Sequence, residues 1–358
     1  MMSQKSNAMT CSPRRSCLLS PWSGAMKNIL VIGGAGYVGA VLVPKLLAGG
    51  YAVRVLDLML FGEHVLPQHP NLDVVKGDMR DTDVLAAANR DMDAVIQLAC
   101  ISNDPSFELD PELSKSINFD AIEPTVAFAR EFGSSRFVYA STSSVYGVSD
   151  APEVTEDHPL VPITDYNKYK GLTEPHVLKY QTDDFTPVII RPATVCGYSP
   201  RLRLDLTVNI LTAKAVTTKE VTVFGGSQKR PNIHIEDISE LYIDLLERPK
   251  EQISGKTYNA AYENHTVAQL AEIVRQTVMR EMPDLGEIGI TTTPSNDLRS
   301  YHVSSAKIKR ELGWEPKRTI DDAVVGLCAA FKDGRIPMNA LEDPSYINVK
   351  TVQAAGLK

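Results

Sequence analysis

Tyr166 and Lys170 stand four residues apart in Tyr166-Asn-Lys-Tyr-Lys170, at the start of a stretch that reads as helix over 165–181. On a helix that spacing puts both side chains on one face. A phenol has a pKa of about 10 and is a poor base at neutral pH, but an ammonium one turn away favours the phenolate. Bringing the phenol to about 7 needs roughly 4 kcal/mol, at about 1.36 kcal/mol per pKa unit. The pair is therefore suited to removing a proton from an alcohol. Taken alone, the same spacing also describes a solvated helix face. Tyr169 lies one residue off this face and reads as packing. A second set of polar groups lies upstream, where Tyr139-Ala-Ser-Thr-Ser-Ser-Val-Tyr-Gly147 follows the apolar strand 136–140. Ligands of open α/β sheets bind at the carboxyl ends of strands, where small hydroxyls can donate to a reacting oxygen. The plainer alternative is a Ser/Thr-rich loop that caps a helix.

The elements needed to position such groups are legible. Ile29–Ile32 has the length and β-branching of a buried strand, and it runs into Gly33, Gly36 and Gly39. Ala40–Ala48 reads as a helix closed by Gly49-Gly50, and a second strand, Ala52–Leu56, ends at Asp57. Glycines there permit a tight turn and close approach to a pyrophosphate, which the N–H groups of a helix N-terminus receive. Asp57 lies 24 residues beyond Gly33, near the ~20 expected of an acid that bonds the adenosine ribose. The unit predicts dinucleotide binding, against a flavodoxin-like βαβ turn. A bound nicotinamide ring would add its positive charge to that of Lys170, which can also hold the nicotinamide ribose. Arg54 points into its strand by alternation, and Leu58, Met59 and Leu60 supply no cation for a 2′-phosphate, so the expectation is NAD.

Strand and helix patterns alternate from Met26 to Arg191, with further strands at 73–76, 94–99 and 188–190 and helices at 83–90 and 112–132. This is the pattern of a doubly wound parallel α/β sheet. Beyond Pro192 helices at 205–217, 237–247, 266–280 and 319–332 alternate with strands at 221–224, 257–259 and 288–292. The expectation is a dinucleotide domain over 26–192 and a smaller α/β substrate lobe over 193–358, with segments that return to the first domain. Residues 1–25 read as a disordered tail or a non-native start, because Cys17-Leu18-Leu19 is shorter than the ~7–15 apolar residues of a signal peptide.

The chain of 358 residues is 43 % apolar and 23 % charged, with a net charge of −7. No basic patch points to nucleic acid, and no run of ~18 apolar residues points to a membrane span. Five cysteines (11, 17, 100, 196 and 328) show neither C-x-x-C pairing nor metal-ligand spacing. A reducing cytoplasm and no metal are expected.

The glycine spacing, G-x-x-G-x-x-G, resembles that of the extended short-chain dehydrogenase/reductase family, the nucleotide-sugar epimerases and dehydratases of the UDP-galactose 4-epimerase-like kind. The resemblance continues to about residue 316 and implies a Rossmann domain. That family carries a Ser or Thr five residues before the glycine of V-Y-G, here Thr142, so the implied catalytic set is Thr142, Tyr166 and Lys170. Around NAD it implies Gly33, Gly36, Tyr37, Val38 and Gly39 at the turn, and Asp57, Asp78 and Met79 at the adenosine end. Leu98 and Ala99 would cover the cofactor, Asn118 would support the site, and Pro192 would flank the nicotinamide with Tyr166 and Lys170. Cys100 replaces the second alanine of the usual L-A-A, and Cys196 replaces the usual tyrosine of R-P-x-N-V-Y-G. Gln228-Lys-Arg-Pro-Asn-Ile-His234 and Leu312-Gly-Trp-Glu-Pro316 match two further family motifs and make Arg230 and Arg299 candidate diphosphate ligands. Guanidinium forks suit such oxygens, and surface salt bridges are the alternative. Ser102, Asn103, Asp104, Ser143 and Asn209 are candidate sugar contacts, and His234 reads as a structural histidine.

The expected activity is epimerisation of a nucleotide-diphosphate sugar, at C4 through a transient keto-sugar, by a carbohydrate-biosynthesis enzyme. A nucleotide keto-sugar reductase using NAD(P)H is the nearest rival, and a non-catalytic dinucleotide sensor is a rival of another class. In the family's 4,6-dehydratases the two residues after the catalytic threonine are Asp and Glu, and decarboxylating relatives have Glu at the second; here they are Ser143 and Ser144. A serine is a poor proton donor or acceptor near neutral pH, which disfavours elimination and decarboxylation. The family pattern also implies a homodimer through 112–132 and 165–181, with Ile117, Ala121, Phe128, Leu172 and Leu178 as candidate contacts.

Overall fold

The computed structural model describes residues 27–294 and 300–357. Expectations for residues 1–25 and for Arg299 lie outside the described residues.

Seven parallel strands form the central sheet in the order β3-β2-β1-β4-β5-β6-β10. They are β1 (Asn28–Ile32), β2 (Ala52–Asp57), β3 (Leu72–Lys76), β4 (Ala94–Gln97), β5 (Arg136–Ala140), β6 (Thr186–Pro192) and β10 (Lys256–Ala260). β-Strand alternation explains how both faces are filled. Ile29 and Val31 join a core with Leu42, Leu46, Leu241 and Leu245, whereas Leu30 and Ile32 join one with Leu85, Ile122, Val126 and Val177. Helices therefore cover both faces, as a parallel sheet requires. Strand order reverses direction beside β1, so the loops after β1 and β4 part and leave a crevice at their carboxyl ends.

β10 returns from far along the chain to pair with β6. The smaller lobe holds the helices Thr207–Thr218, Val267–Glu281 and Ile320–Lys332, the parallel pair β8 (Glu220–Phe224) and β12 (Gly289–Thr293), and its own core of residues such as Val208, Val223, Leu270 and Leu327. Three short strands escaped the sequence patterns: β7 (Thr194–Cys196), β9 (Lys229–His234) and β11 (Glu263–Thr266), which form a sheet of their own. With three or four residues in two of them, there is no period to detect.

The expected long helix 112–132 is interrupted. Pro111–Lys115 passes through a π-helical turn, Ser116–Asp120, into Ile122–Glu131. Such wide turns recur at functional sites, and this one carries Asn118. Ile117 and Ala121, expected at a subunit contact, are 4 % and 6 % exposed in their own chain, whereas Leu172 is 45 % exposed.

Candidate active site

A cavity of about 550 Å³ runs from the β1 turn, past the ends of β4 and β5, to the second lobe. At one end lie the glycines of the turn after β1. Gly33 has φ +86°, and a Cβ there would lie 2.5 Å from the Ala99 nitrogen. A Cβ on Gly39 would lie 2.4 Å from the Gly34 oxygen. Both are held by close backbone approach, while Gly36, Tyr37 and Val38 face the cavity at the start of the helix Gly39–Ala48. Leu98 and Ala99 both donate N–H bonds to the Ile32 carbonyl at 2.9 Å, tying the β4 loop to the turn.

Asp57 also lines this end. Its carboxylate accepts from the Ala35 N–H at 2.9 Å and the Met59 N–H at 2.8 Å. Burial pushes its pKa up against those bonds. Arg54 is turned away, paired with Asp73 at 2.6 Å and bonded to the Ala88 and Arg90 carbonyls. Asp78 and Met79 line the same end. Burial opposes the Asp78 charge, but the Arg80 guanidinium, with contacts from 2.6 to 3.1 Å, holds its carboxyl below the usual range.

Thr142, Tyr166, Lys170 and Pro192 all line the cavity. Tyr166 and Lys170 occupy the first turns of the helix Asp165–Leu178, capped by Thr164. Lys170 Nζ donates to the Ala140 carbonyl at 2.7 Å and lies 4.9 Å from the Tyr139 ring centre. Burial works against this ammonium, but the Cys100 thiol and the Tyr139, Tyr166 and Tyr242 phenols around it hold it protonated. Burial pushes the Tyr166 phenol up, with Cys100 adding to the rise, while Lys170 and Arg203 pull it down. The two cations offset only part of the cost of burying a phenolate, and the phenol stays above its ordinary value. Tyr169 stacks on Phe107, with ring centres 5.7 Å apart, as expected of packing.

Several expected contacts are relocated. Thr142 Oγ1 accepts from the Ser144 N–H at 3.2 Å and caps the 3-10 turn Ser143–Tyr146. That turn carries Ser143 inward, where it is 1 % exposed. Ser144 faces the cavity instead, 3.1 Å from the Tyr301 hydroxyl. Asn118 does not line the cavity. Its amide accepts from the Ile101 N–H at 2.8 Å and donates to the Ile101 carbonyl at 2.9 Å, fixing the loop after β4. Asn209 is wholly buried, bonded to the Tyr37 hydroxyl, the Gly197 N–H and the Arg203 carbonyl. Its role is to join the lobes. His234 Nδ1 accepts from the Glu236 N–H and caps the helix Ile235–Glu247.

Ser102, Asn103, Asp104 and Arg230 do line the cavity. Around them stand residues without a local signal: Arg201, Arg203, Asp205, Tyr301 and Asn348. Arg203 grips Asp205 at 2.9 and 3.1 Å, and Asn103 donates to Asp205 at 2.7 Å. Asp104 accepts from Thr164 at 2.7 Å.

The sequence model of the NAD dependent epimerase/dehydratase family matches residues 29–261. The chain belongs to that family. It is 25 % identical to UDP-glucose 4-epimerase of Bacillus subtilis, over 82 % of this chain and 94 % of that protein. It is equally similar to UDP-glucuronic acid decarboxylase 1 of Xenopus tropicalis, over 83 % of this chain and 70 % of that one. Among solved structures, an epimerase from Methanothermobacter thermautotrophicus superposes with a TM-score of 0.78 at 24 % identity, covering 88 % of this chain and 94 % of its own. UDP-glucose 4-epimerase of Thermotoga maritima, solved with UDP-glucose, gives 0.76 at 22 % identity, covering 86 % and 99 %.

The protein is thus an NAD-dependent enzyme of the nucleotide-sugar epimerase/dehydratase family. Its residues fit that cofactor: a cradle that a Cβ would fill at Gly33, a helix N-terminus for the pyrophosphate, and a carboxylate at Asp57. Held there, NAD would supply a hydride acceptor. Among the described residues no cluster of potential ligands would hold a metal, and no helix is long and apolar enough to cross a membrane.

Proposed function

We propose that the enzyme epimerises a UDP-sugar at C4. Tyr166 takes the proton of the C4 hydroxyl while Thr142 donates to the same oxygen. Lys170 stabilises the phenolate. With the C4 hydride passed to the acceptor that bound NAD would supply, the 4-keto-sugar would turn over within the cavity, and Tyr166 would return the proton to the same oxygen once that hydride is restored to the opposite face of C4. The observation that carries this reading is the position after the threonine that faces the cavity. It is Ser144, engaged with Tyr301, where an eliminating or decarboxylating enzyme needs an ionisable acid or base. The nearby carboxylates are engaged too, Asp205 by Arg203 and Asp104 by Thr164. The UDP moiety rests on the relatives' substrates, and Arg230, in the cavity wall, is the described candidate for its diphosphate. Leu172, exposed on the active-site helix, supports a homodimer contact. The free thiol of Cys100 in the cavity wall suits a reducing cytoplasm.

The test is incubation of the NAD-loaded protein with UDP-glucose, UDP-N-acetylglucosamine and UDP-glucuronic acid, without added cofactor, and separation of products by stereochemistry. C4 inversion of one of them is expected. Loss of water or carbon dioxide, or strict dependence on added NADH or NADPH, would overturn the proposal.

A further inference from the structure

The second lobe's last long helix ends at Lys332, and the chain then runs back to the cavity. This stretch lies beyond the residues that the family model matches. The Tyr346 carbonyl accepts from the Leu204 N–H at 2.8 Å, and the helix Asn348–Ala355 follows. Val352 and Leu357 cover an apolar cluster of Ile101, Leu113 and Ile117, beside the π-helical turn. Asn348, Val349 and Val352 form part of the cavity wall.

Asn348 is 5 % exposed, and its side-chain oxygen, side-chain nitrogen and backbone N–H are all engaged. Its Oδ1 accepts from an Arg201 Nη, its backbone N–H donates to Asp205 at 3.3 Å, and its Nδ2 donates to Ser102 Oγ at 2.6 Å. Ser102 Oγ also accepts from Arg203 Nη1 at 3.3 Å. A serine hydroxyl has two acceptor lone pairs and one donor proton. Two donors converge on this oxygen, so its own proton is directed elsewhere, and the residue faces the cavity.

We propose that Asn348 is a positioning residue of the substrate site: it pins the C-terminal segment as the cavity's outer wall and aims the Ser102 hydroxyl at a sugar oxygen. The inference rests on the cavity being a nucleotide-sugar site. It adds a specificity element supplied by neither lobe's motifs. Its consequence is selective for acceptors. An oxygen of the sugar satisfies the Ser102 proton, whereas a deoxygenated carbon in the same place leaves that proton without an acceptor beneath the bound substrate, at a cost in affinity.

Asn348→Asp separates positioning from packing. The carboxylate is nearly isosteric and keeps the acceptor for Arg201, but it turns Ser102 into its own donor and draws that proton out of the cavity. With UDP-glucose, or whichever UDP-sugar of the panel is turned over, KM is expected to rise about tenfold with kcat within threefold, as loss of one hydrogen bond implies. In a Ser102→Ala background the same substitution should add nothing. Equal effects in both backgrounds, or an unchanged KM, would overturn the proposal. Thermal midpoints check that each variant folds. If Asn348→Asp does not, Ser102→Ala alone must show the tenfold rise, and an unchanged KM sinks the idea. The wall has a readout independent of turnover. In NAD-loaded protein, alkylation of Cys100 by iodoacetamide, followed by peptide mass spectrometry, should be at least fivefold faster in Asn348→Ala. An unchanged rate overturns the wall. A wild-type protein inactive on every UDP-sugar would defeat the C4-epimerase reading while this rate still decides the wall.

Discussion

Glu174 and Arg191 face each other in a two-pronged ion pair, with contacts of 2.9 and 2.6 Å and both side chains at least nine-tenths buried. Glu174 lies one turn beyond Lys170 on the active-site helix, and Arg191 sits at the end of β6 beside Pro192. Ser141 donates to Glu174 at 2.6 Å, and Arg191 donates to the Tyr146 hydroxyl at 2.6 Å. The pair thereby locks helix, strand end and hydroxyl loop together beneath the catalytic groups. A buried charge left without its partner is costly, about 3–5 kcal/mol. Glu174→Gln is expected to lower stability by that order in urea denaturation. Replacing both residues, Glu174→Leu with Arg191→Met, should recover most of it. A single-variant loss under about 1 kcal/mol would show that the pair is not what fixes this corner.

Tyr166→Phe removes one hydroxyl from the cavity and no packing. General acid–base help is worth ~10²–10⁴ in rate, so a folded protein that retains NAD and loses at least that much turnover is expected. Activity within tenfold of wild type would show that another group moves the proton. The charge around the phenol also sets a sign. Burial raises its pKa and Lys170 offsets part of that rise, and the base is the deprotonated form. Activity should rise with pH along this limb. Lys170→Met should move the limb to higher pH, and steady-state profiles of kcat measure it.

What the sequence disclosed follows from range. The glycine turn, the Tyr166–Lys170 face and the strand ends are written in residues close along the chain, where period and spacing speak for geometry. Ser143, a candidate sugar contact by sequence, is buried and Ser144 faces the cavity, because a 3-10 turn continues from Thr142. Asn118, grouped by sequence with the cofactor contacts, lies behind the cavity wall, because the π-helical turn places its amide on the Ile101 backbone. Arg201, Arg203 and Asn348 had no such local signal. Arg203 from the second lobe and Asn348 from the C-terminal segment meet at Ser102, with Arg201 donating to Asn348, and only tertiary packing brings them there.

Asp57 sets a further expectation. Its carboxylate lies in the cavity at the end of β2, while Arg54 is held on Asp73 and away from the cavity. A 2′-phosphate placed there meets like charge, whereas ribose hydroxyls meet an acceptor. NAD⁺ should bind at least tenfold more tightly than NADP⁺ by calorimetric titration, and Asp57→Ala should narrow that ratio. Equal affinities in the wild type would sink the assignment of Asp57 to the ribose.

His234 links the fold to pH. Its ring is buried at the start of the helix Ile235–Glu247, where Nδ1 accepts from the Glu236 N–H. Burial pushes its pKa below the ordinary 6.5, with nearby Asp237 opposing and Arg318 assisting. The folded state therefore holds the neutral ring, and the unfolded chain binds the proton more readily. Stability from this group is complete above about pH 6.5 and is lost as pH falls toward the lowered folded value, because the unfolded state then carries more protons. Protonation also removes the acceptor that the cap needs. His234→Asn keeps a good capping acceptor without a titrating ring, so its unfolding free energy should fall less steeply between pH 7 and 5 than that of the wild type. Parallel slopes for the two proteins in urea denaturation across that range would remove His234 from the account of acid sensitivity.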